Sequence, residues 1–338
     1  MIALFVNLAG CGRDAVYQQE SFVFGTRVEV LIHGVPEERA RDAAGAVLRE
    51  FDRLHRTLHA WQPSQLTALN AAIARGERDI PVSPELAAIV RDAQAVAARS
   101  DQLFDPAIGK LIALWGFQSD EFKPVVPEPA AVAQLVAARP RMDDLTVAGS
   151  RISSRNRAVQ LDLGGYAKGY ALDRAAAILR GQGIADALIN IGGNVMALGR
   201  KGDQPWRVGI QNPRGSAPLA TLSLYDGEAI GTSGDYQRYF ELGGRRYCHL
   251  IDPRSGQPAE GVQAVTVLVT PRPGAGTLSD AASKPLFIAG ADRWRDYARR
   301  LGVEHVLRVD AAGRITVTRA MQARLSFAAD VPKAAVVE

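Results

Sequence analysis

The 338 residues suffice for two average domains or for one large α/β or α+β unit. Forty Lys and Arg against 36 Asp and Glu leave a net charge of +4, which argues against a nucleic-acid reader with its basic residues concentrated on one face. A composition of 47% hydrophobic and 22% charged residues excludes a disordered or collagen-like chain, and no internal apolar run reaches the roughly 18 residues that cross a bilayer. The two cysteines, Cys11 and Cys248, are too few for a disulfide framework or a thiolate zinc site.

The chain opens with a short apolar stretch that ends in small residues before Cys11 and turns polar at Gly12, Arg13 and Asp14. That is the shape of a processing segment. Leu8-Ala9-Gly10-Cys11 resembles a bacterial lipobox, although no Lys or Arg precedes the apolar run. The expectation is that residues 1–20 are signal, lipobox and tether, with Cys11 acylated. The body would then be periplasmic and lipid-anchored to the inner membrane.

Residues 21–34 alternate apolar and polar and read as an edge or hairpin strand. Ala43, Val47, Phe51, Leu54 and Leu58 recur at three- and four-residue steps, giving a long amphipathic helix over 37–60. Ser83 followed by Pro84 and Glu85 starts a second helix that runs to residue 98. A short helix is expected over 106–114, a proline-punctuated surface excursion over 122–129, and a small helix near 129–138. A strand at 157–163 leads to a helix over 166–180 that ends at Gly181 and Gly183. Short strands follow at 186–191, 194–199, 206–211, 219–225, 245–251 and 262–270, then helices at 280–290 and 291–301 and a strand pair near 303–318. The last ten or so residues read as a loose tail. No repeat or linker interrupts this mixed order, which favours α+β over regular βαβ alternation.

Four stretches carry chemistry. Asp162-Leu163-Gly164-Gly165-Tyr166-Ala167-Lys168-Gly169 lies between a predicted strand and a predicted helix, where backbone N–H groups and Lys168 can receive an anion. Its spacing is neither the dinucleotide fingerprint nor a P-loop, and a glycine turn beside a solvated Lys stays equally open. Gly192 and Gly193, inside Ile189-Asn190-Ile191-Gly192-Gly193-Asn194, allow a bulge or a close ligand approach, the bulge being favoured. Residues 231–240 and 247–256 gather hydroxyls, carboxylates, Arg, Tyr and a lone His, more polar chemistry than a core needs. His249 in such company suits a general base, and Cys248 beside it would face the opposite side of a strand, in the core. Asp280 is placed at a helix start, with Ser283 and Lys284 one turn on, which makes either a helix cap or a hard-cation site.

Taken in order, these segments resemble the FAD:protein FMN transferase family, often called ApbE. The resemblance rests on Phe24-Gly25-Thr26, residues 58–70, Phe104-Asp105-Pro106-Ala107-Ile108-Gly109, Leu114-Trp115-Gly116-Phe117, residues 161–170, Ile189 to Gly193, Thr232-Ser233-Gly234, residues 249–256, and Ser279-Asp280. It implies one α+β unit over 21–325, T-fold-like, with mixed and antiparallel sheets flanked by helices, a flavin cleft between subregions, and a tail at 326–338. The implied reaction uses Mg2+ to move FMN from FAD to a Thr or Ser of an acceptor protein in a membrane or periplasmic electron-transfer system, releasing AMP. The implied FAD-binding positions are Phe24, Trp61, Ala107, Ile108, Gly109, Asp162, Lys168 and Ile251. The implied metal positions are Gly165, through its carbonyl, Asp280, Ser283 and Lys284; the implied catalytic residues are Asp280 and His249, which assists deprotonation of the acceptor hydroxyl.

The chain departs from the family pattern most at Lys284, where Thr is usual. A protonated Lys has donors only and cannot ligate Mg2+; it can instead fill a cation's place with a fixed charge. Phe24 stands where Met is common, and Ala107 where Thr is common. Two other readings therefore stay beside the transferase: a non-catalytic FAD-binding lipoprotein serving an electron-transfer system, and a pyrophosphatase that cleaves FAD to FMN and AMP.

Overall fold

All eight residues of the strand Val262–Val269 are buried, which a strand achieves only when both faces of its sheet are covered. This strand is central to a nine-stranded sheet in the computed structural model, which describes residues 16–119, 121 and 123–338. The expected lipobox and Cys11 lie outside the described residues.

The sheet strands lie side by side in chain order: Tyr17–Val23, Thr26–His33, Asp186–Ile191, Asn194–Leu198, Ala229–Gly234, Val262–Val269, His305–Asp310, Ile315–Thr318 and Ala335–Val337. Neighbours are antiparallel except the last pair, which is parallel. Such a meander needs only short turns, so the long excursions between its strands are free to build something else. Residues 34–185 leave after the second strand and hold the helices Glu37–Leu58, Gln65–Arg75, Pro84–Arg99, Gly109–Leu114, Pro129–Ala138 and Ala167–Gly181. One sheet face packs on Glu37–Leu58, Ala167–Gly181 and the later helix Ala275–Ile288. The other buries Leu222, Leu224, Trp206 and Met321 beneath a small sheet of Trp206–Gln211, Pro218–Leu224 and Leu325–Phe327.

Most expected elements are present, and the differences have local causes. Residues 21–34 span the end of the strand Tyr17–Val23, the turn, and its hairpin partner Thr26–His33. Residues 157–163 are not a strand: Gln160 makes only an isolated bridge with Ile108, and Asn70 clamps Leu161 through both backbone groups at 2.9 and 2.7 Å. The helix Gln65–Arg75 was not foreseen; its box is Ser64 with Thr67, where Thr67 Oγ1 accepts from Ser64 N at 2.9 Å in place of the usual Glu. The expected tail is corrected as well, since Leu325–Phe327 and Ala335–Val337 both join sheets.

The helix expected to start at Asp280 starts five residues earlier, at Ala275, and Asp280 sits in its middle, fully buried. Its true cap comes from another helix: Asp173 accepts from Gly276 N and Thr277 N, both at 2.8 Å, and from Thr277 Oγ1 at 2.6 Å. The two helices touch backbone to backbone, because a Cβ on Gly169 would come within 2.3 Å of the Gly276 carbonyl oxygen and 2.7 Å of Asp280 Cβ. Gly169→Ala should therefore cost about 3 kcal/mol or more; a urea midpoint unchanged from wild type would contradict this packing.

The turn into Gly109–Leu114 is tied down by Asp105, whose Oδ1 accepts from Ala107 N at 3.0 Å and Met142 N at 3.2 Å. Its Oδ2 is buried with no hydrogen-bond partner among the described residues. Burial pushes the carboxyl up from 3.8 to about 7 against those two amides. Between these values the folded chain holds a proton that the unfolded chain has released, so stability falls as pH rises through the window and levels off above it. Asp105→Asn keeps the acceptor and removes the ionisation. Its advantage over wild type should grow from pH 4 to pH 8 to a few kcal/mol, and parallel pH profiles of the two melting midpoints would refute the assignment.

Candidate active site

A cavity of about 710 Å³ opens where the excursions from the meander meet. It is bordered by the hairpin tip at Phe24, the segment after the helix Glu37–Leu58, residues 103–108, the first turn of Ala167–Gly181, and the stretch 236–251.

One wall is aromatic. Phe24 meets His55 edge-on at 5.6 Å, His55 meets His59 at 4.9 Å, and His59 meets Trp61 at 4.6 Å. His55 and His59 are four residues apart at the end of one helix and just beyond it, hence on one face. Phe24 takes φ +57° and Gly25 φ +67°, the two left-handed positions of a two-residue hairpin loop that usually carries Asn and Gly. A bulky side chain there costs about 1–2 kcal/mol of backbone strain, and it holds an aromatic ring over the cavity. Rings of this kind offer a stacking surface to a planar heterocycle.

The lining also carries cations. Lys168 lies in the first turn of its helix beside Gly164 and Gly165, where the helix dipole favours an anion. Burial holds its ammonium below the usual Lys range, partly offset by the charge of Asp280. The Arg238 guanidinium lies 5.9 Å from the Trp61 ring and donates to the carbonyls of Phe117 and Ser119 at 2.9 and 3.1 Å. Lys284 is the third cation on the lining.

His249 faces this cluster. Its backbone N–H donates to the Arg238 carbonyl at 3.0 Å, and its ring Nδ1 lies 3.2 Å from the same oxygen. A carbonyl only accepts, so Nδ1 carries the proton and the lone pair is left on Nε2. Burial, then repulsion by Arg238 and Lys168, pushes the imidazole down to about 3, so it is neutral at physiological pH. The segment is braced by stacked Trp115, Tyr247, Phe240 and Phe117, and by Trp115 Nε1 donating to Gly256 O at 2.7 Å. Cys248 is core, as expected. Its thiol is buried and pushed up to about 12, which leaves no thiolate for a Cys-His pair.

Of the expected flavin positions, Phe24, Trp61, Ile108, Asp162, Lys168 and Ile251 line the cavity. Ala107 and Gly109 stand behind it, with Gln160 N donating to Ala107 O at 3.1 Å and Gly109 N to Gln160 O at 2.8 Å. Asp162 is fixed by Gly164 N on Oδ1 and Gln118 Nε2 on Oδ2. His249, Gly165 and Lys284 line the cavity, whereas Asp280 and Ser283 are fully buried behind Lys284. The sequence reading assigned no role to His55, His59, Asp105 or Arg238. The four-residue spacing of the two histidines, just ahead of Trp61, was the available signal.

The four expected metal positions do not fit a divalent cation as arranged. Asp280 Oδ2 accepts from Gly169 N at 2.9 Å, and Oδ1 from the Lys284 ammonium. The Asp280 carbonyl accepts from Ser283 Oγ at 2.7 Å and Lys284 Nζ at 2.8 Å, and Ser283 Oγ also pairs with Ser233 Oγ at 2.7 Å. A hard cation needs open oxygens, and here an ammonium holds them. Among the described residues no three His, Cys, Asp or Glu side chains converge on a metal position.

The ApbE family model matches residues 24–307. An FAD:protein FMN transferase of Rhodobacter capsulatus is 47% identical over 304 residues, which are 90% of this chain, and the chain spans 57% of that relative's length. One from Klebsiella pneumoniae is 34% identical over 262 residues, covering 76% of this chain and 78% of its own. The crystal structure of an ApbE protein from Thermotoga maritima superposes with a TM-score of 0.82 at 29% identity, over 92% of this chain and 99% of that one. That of the Pseudomonas stutzeri flavinyl transferase ApbE in its apo form gives 0.78 at 29% identity, over 93% and 98%. The expected α+β architecture is thus that of solved relatives, and the chain belongs to the ApbE family.

Proposed function

We propose that this chain is an FAD:protein FMN transferase that joins FMN to a Thr or Ser hydroxyl of an acceptor protein and releases AMP. The observation that carries the reading is a neutral imidazole, His249, set beside Lys168, Lys284 and Arg238 in a cavity that is also lined by the Phe24 to Trp61 aromatic cluster. The flavin or adenine ring stacks on the Phe24 to Trp61 wall, and the diphosphate lies among the cations. The acceptor oxygen attacks the FMN-side phosphorus in line, forming the new P–O bond. The P–O bond to the bridging oxygen breaks, and that oxygen leaves on AMP. The hydroxyl proton passes to His249 Nε2. No covalent enzyme intermediate is needed, since positioning and charge stabilisation carry phosphoryl transfer. The Mg2+ that the family resemblance implies finds no open donor set at Asp280, so each step above uses the chain's own groups.

The test incubates the protein with FAD and an acceptor domain, and then reads flavin fluorescence on a denaturing gel together with AMP release. Wild type should give a fluorescent acceptor band that vanishes when the target Thr is changed to Val. FMN and AMP without labelled acceptor would instead select the pyrophosphatase, and bound FAD without AMP the storage protein. His249→Ala should lower the transfer rate about 10²- to 10⁴-fold while leaving FAD bound, and full activity in that variant would remove His249 from the chemistry.

Leu8-Ala9-Gly10-Cys11 supports placing the enzyme in the periplasm, lipid-anchored to the inner membrane, near membrane electron-transfer proteins as acceptors. Labelled palmitate should enter the protein in cells and be lost in Cys11→Ser; labelling that survives the substitution would refute the anchor.

A further inference from the structure

Asp280 is a carboxylate with no exposed surface, and its side chain makes an ion pair with Lys284, whose own side chain is 13% exposed. The pair is built into one helix at a four-residue spacing, and Pro285 follows immediately within that helix. Lys284 Nζ touches both the carboxylate Oδ1 and the carbonyl of Asp280, oxygens of the kind a hard cation takes. The ammonium therefore stands where a cation would stand.

The surroundings fit that role. Gly165 has no side chain, and a Cβ there would meet Lys284 Cε at 3.2 Å, so the Lys stem can lie against the glycine backbone on its way to Asp280. An ammonium has three donors, and Asp280 takes two, which leaves the third for the cavity that Lys284 lines beside Lys168 and Gly165. The other carboxylate oxygen of Asp280 is already engaged by Gly169 N–H. The neighbouring hydroxyl of Ser283 is spent on Ser233 and on the Asp280 carbonyl.

We infer that Lys284 is a built-in substitute for a metal ion, so that this chain binds the diphosphate of FAD without a divalent cation at Asp280. The inference rests on the flavin reading above and deepens it. A fixed ammonium supplies one positive charge where a divalent ion supplies two, and Lys168 and Arg238 on the same lining make up the difference. The site's affinity for a dinucleotide diphosphate is then a property of the protein alone, insensitive to chelators.

The test reads binding instead of turnover, by quenching of FAD fluorescence on titration with the full chain in EDTA or in Mg2+. The wild-type Kd should differ by no more than about threefold between the two buffers, whereas Lys284→Met should weaken binding about tenfold or more in both. Lys284→Arg keeps the charge and should stay near wild type. It serves as the folded control if the Met variant, with Asp280 left unpaired, does not fold. In Lys284→Thr, Mn2+ followed by electron paramagnetic resonance should become bound, and Mg2+ should restore FAD affinity. Wild-type binding that collapses in EDTA, Mn2+ bound to the wild-type chain, or an undiminished Lys284→Met would each overturn the inference. If wild type binds FAD only with Mg2+ yet labels its acceptor, the inference fails and the transferase reading stands. FAD binding in neither buffer overturns both.

Discussion

The fully buried carboxylate of Asp280 is the constraint around which the site is arranged. One oxygen accepts from the backbone of Gly169 on the helix Ala167–Gly181, and the other faces Lys284 on its own helix. Both oxygens of Asp280 are engaged, and removing one partner of such a buried pair costs about 3–5 kcal/mol. Satisfying Asp280 thus fixes the distance between two helices and, with it, the place of Lys168 one residue ahead of Gly169. The contact is close enough that the two helices must meet glycine to glycine, at Gly169 and Gly276. A similar approach recurs on the other side, where a Cβ at Gly231 would lie 2.4 Å from the Ser279 carbonyl oxygen. The two helices and the strand Ala229–Gly234 are in this way packed backbone to backbone.

The division of labour between sheet and excursions follows from topology. Strands that pair in chain order need little connecting chain, so every long insertion is available for the site. The insertion after the second strand brings the histidines, Trp61, the Asp105 turn and Lys168. The insertion before Val262–Val269 brings Arg238 and His249, and the one after it brings Asp280 and Lys284. The aromatic wall needs the hairpin tip as well, and the strained conformation of Phe24 is the local cost of aiming that ring.

Much of this was legible in the sequence, and the misreadings share one cause. The order of motifs, the long helix over 37–60 and the glycine turn at Asp162 to Lys168 rest on local spacing, and the structure places that turn on the cavity lining. The strand at 157–163 was misread because an apolar-polar alternation also describes an extended segment held by one side chain, here Asn70. The helix start at Asp280 was misread because the true N-terminus has no cap of its own and borrows Asp173 from a helix about a hundred residues earlier in the chain. A local rule cannot see a distant cap. The same limit hid the pairing of the closing strand Ala335–Val337, whose partner is Ile315–Thr318.

Neutral His249 and the cations around it are two results of one burial. Removing water disfavours a charged imidazole, and Arg238, Lys168 and Lys284 add repulsion to the same effect. Without an anion the ring is therefore a very weak base. A diphosphate among those cations would cancel part of the repulsion, leaving burial as the main force against protonation. The basicity of Nε2 would rise only when the cavity is filled, which is when a proton has to be accepted. The Lys284 ammonium is held against Asp280 by the fold itself, so such a coupling between occupancy and basicity would need no third component.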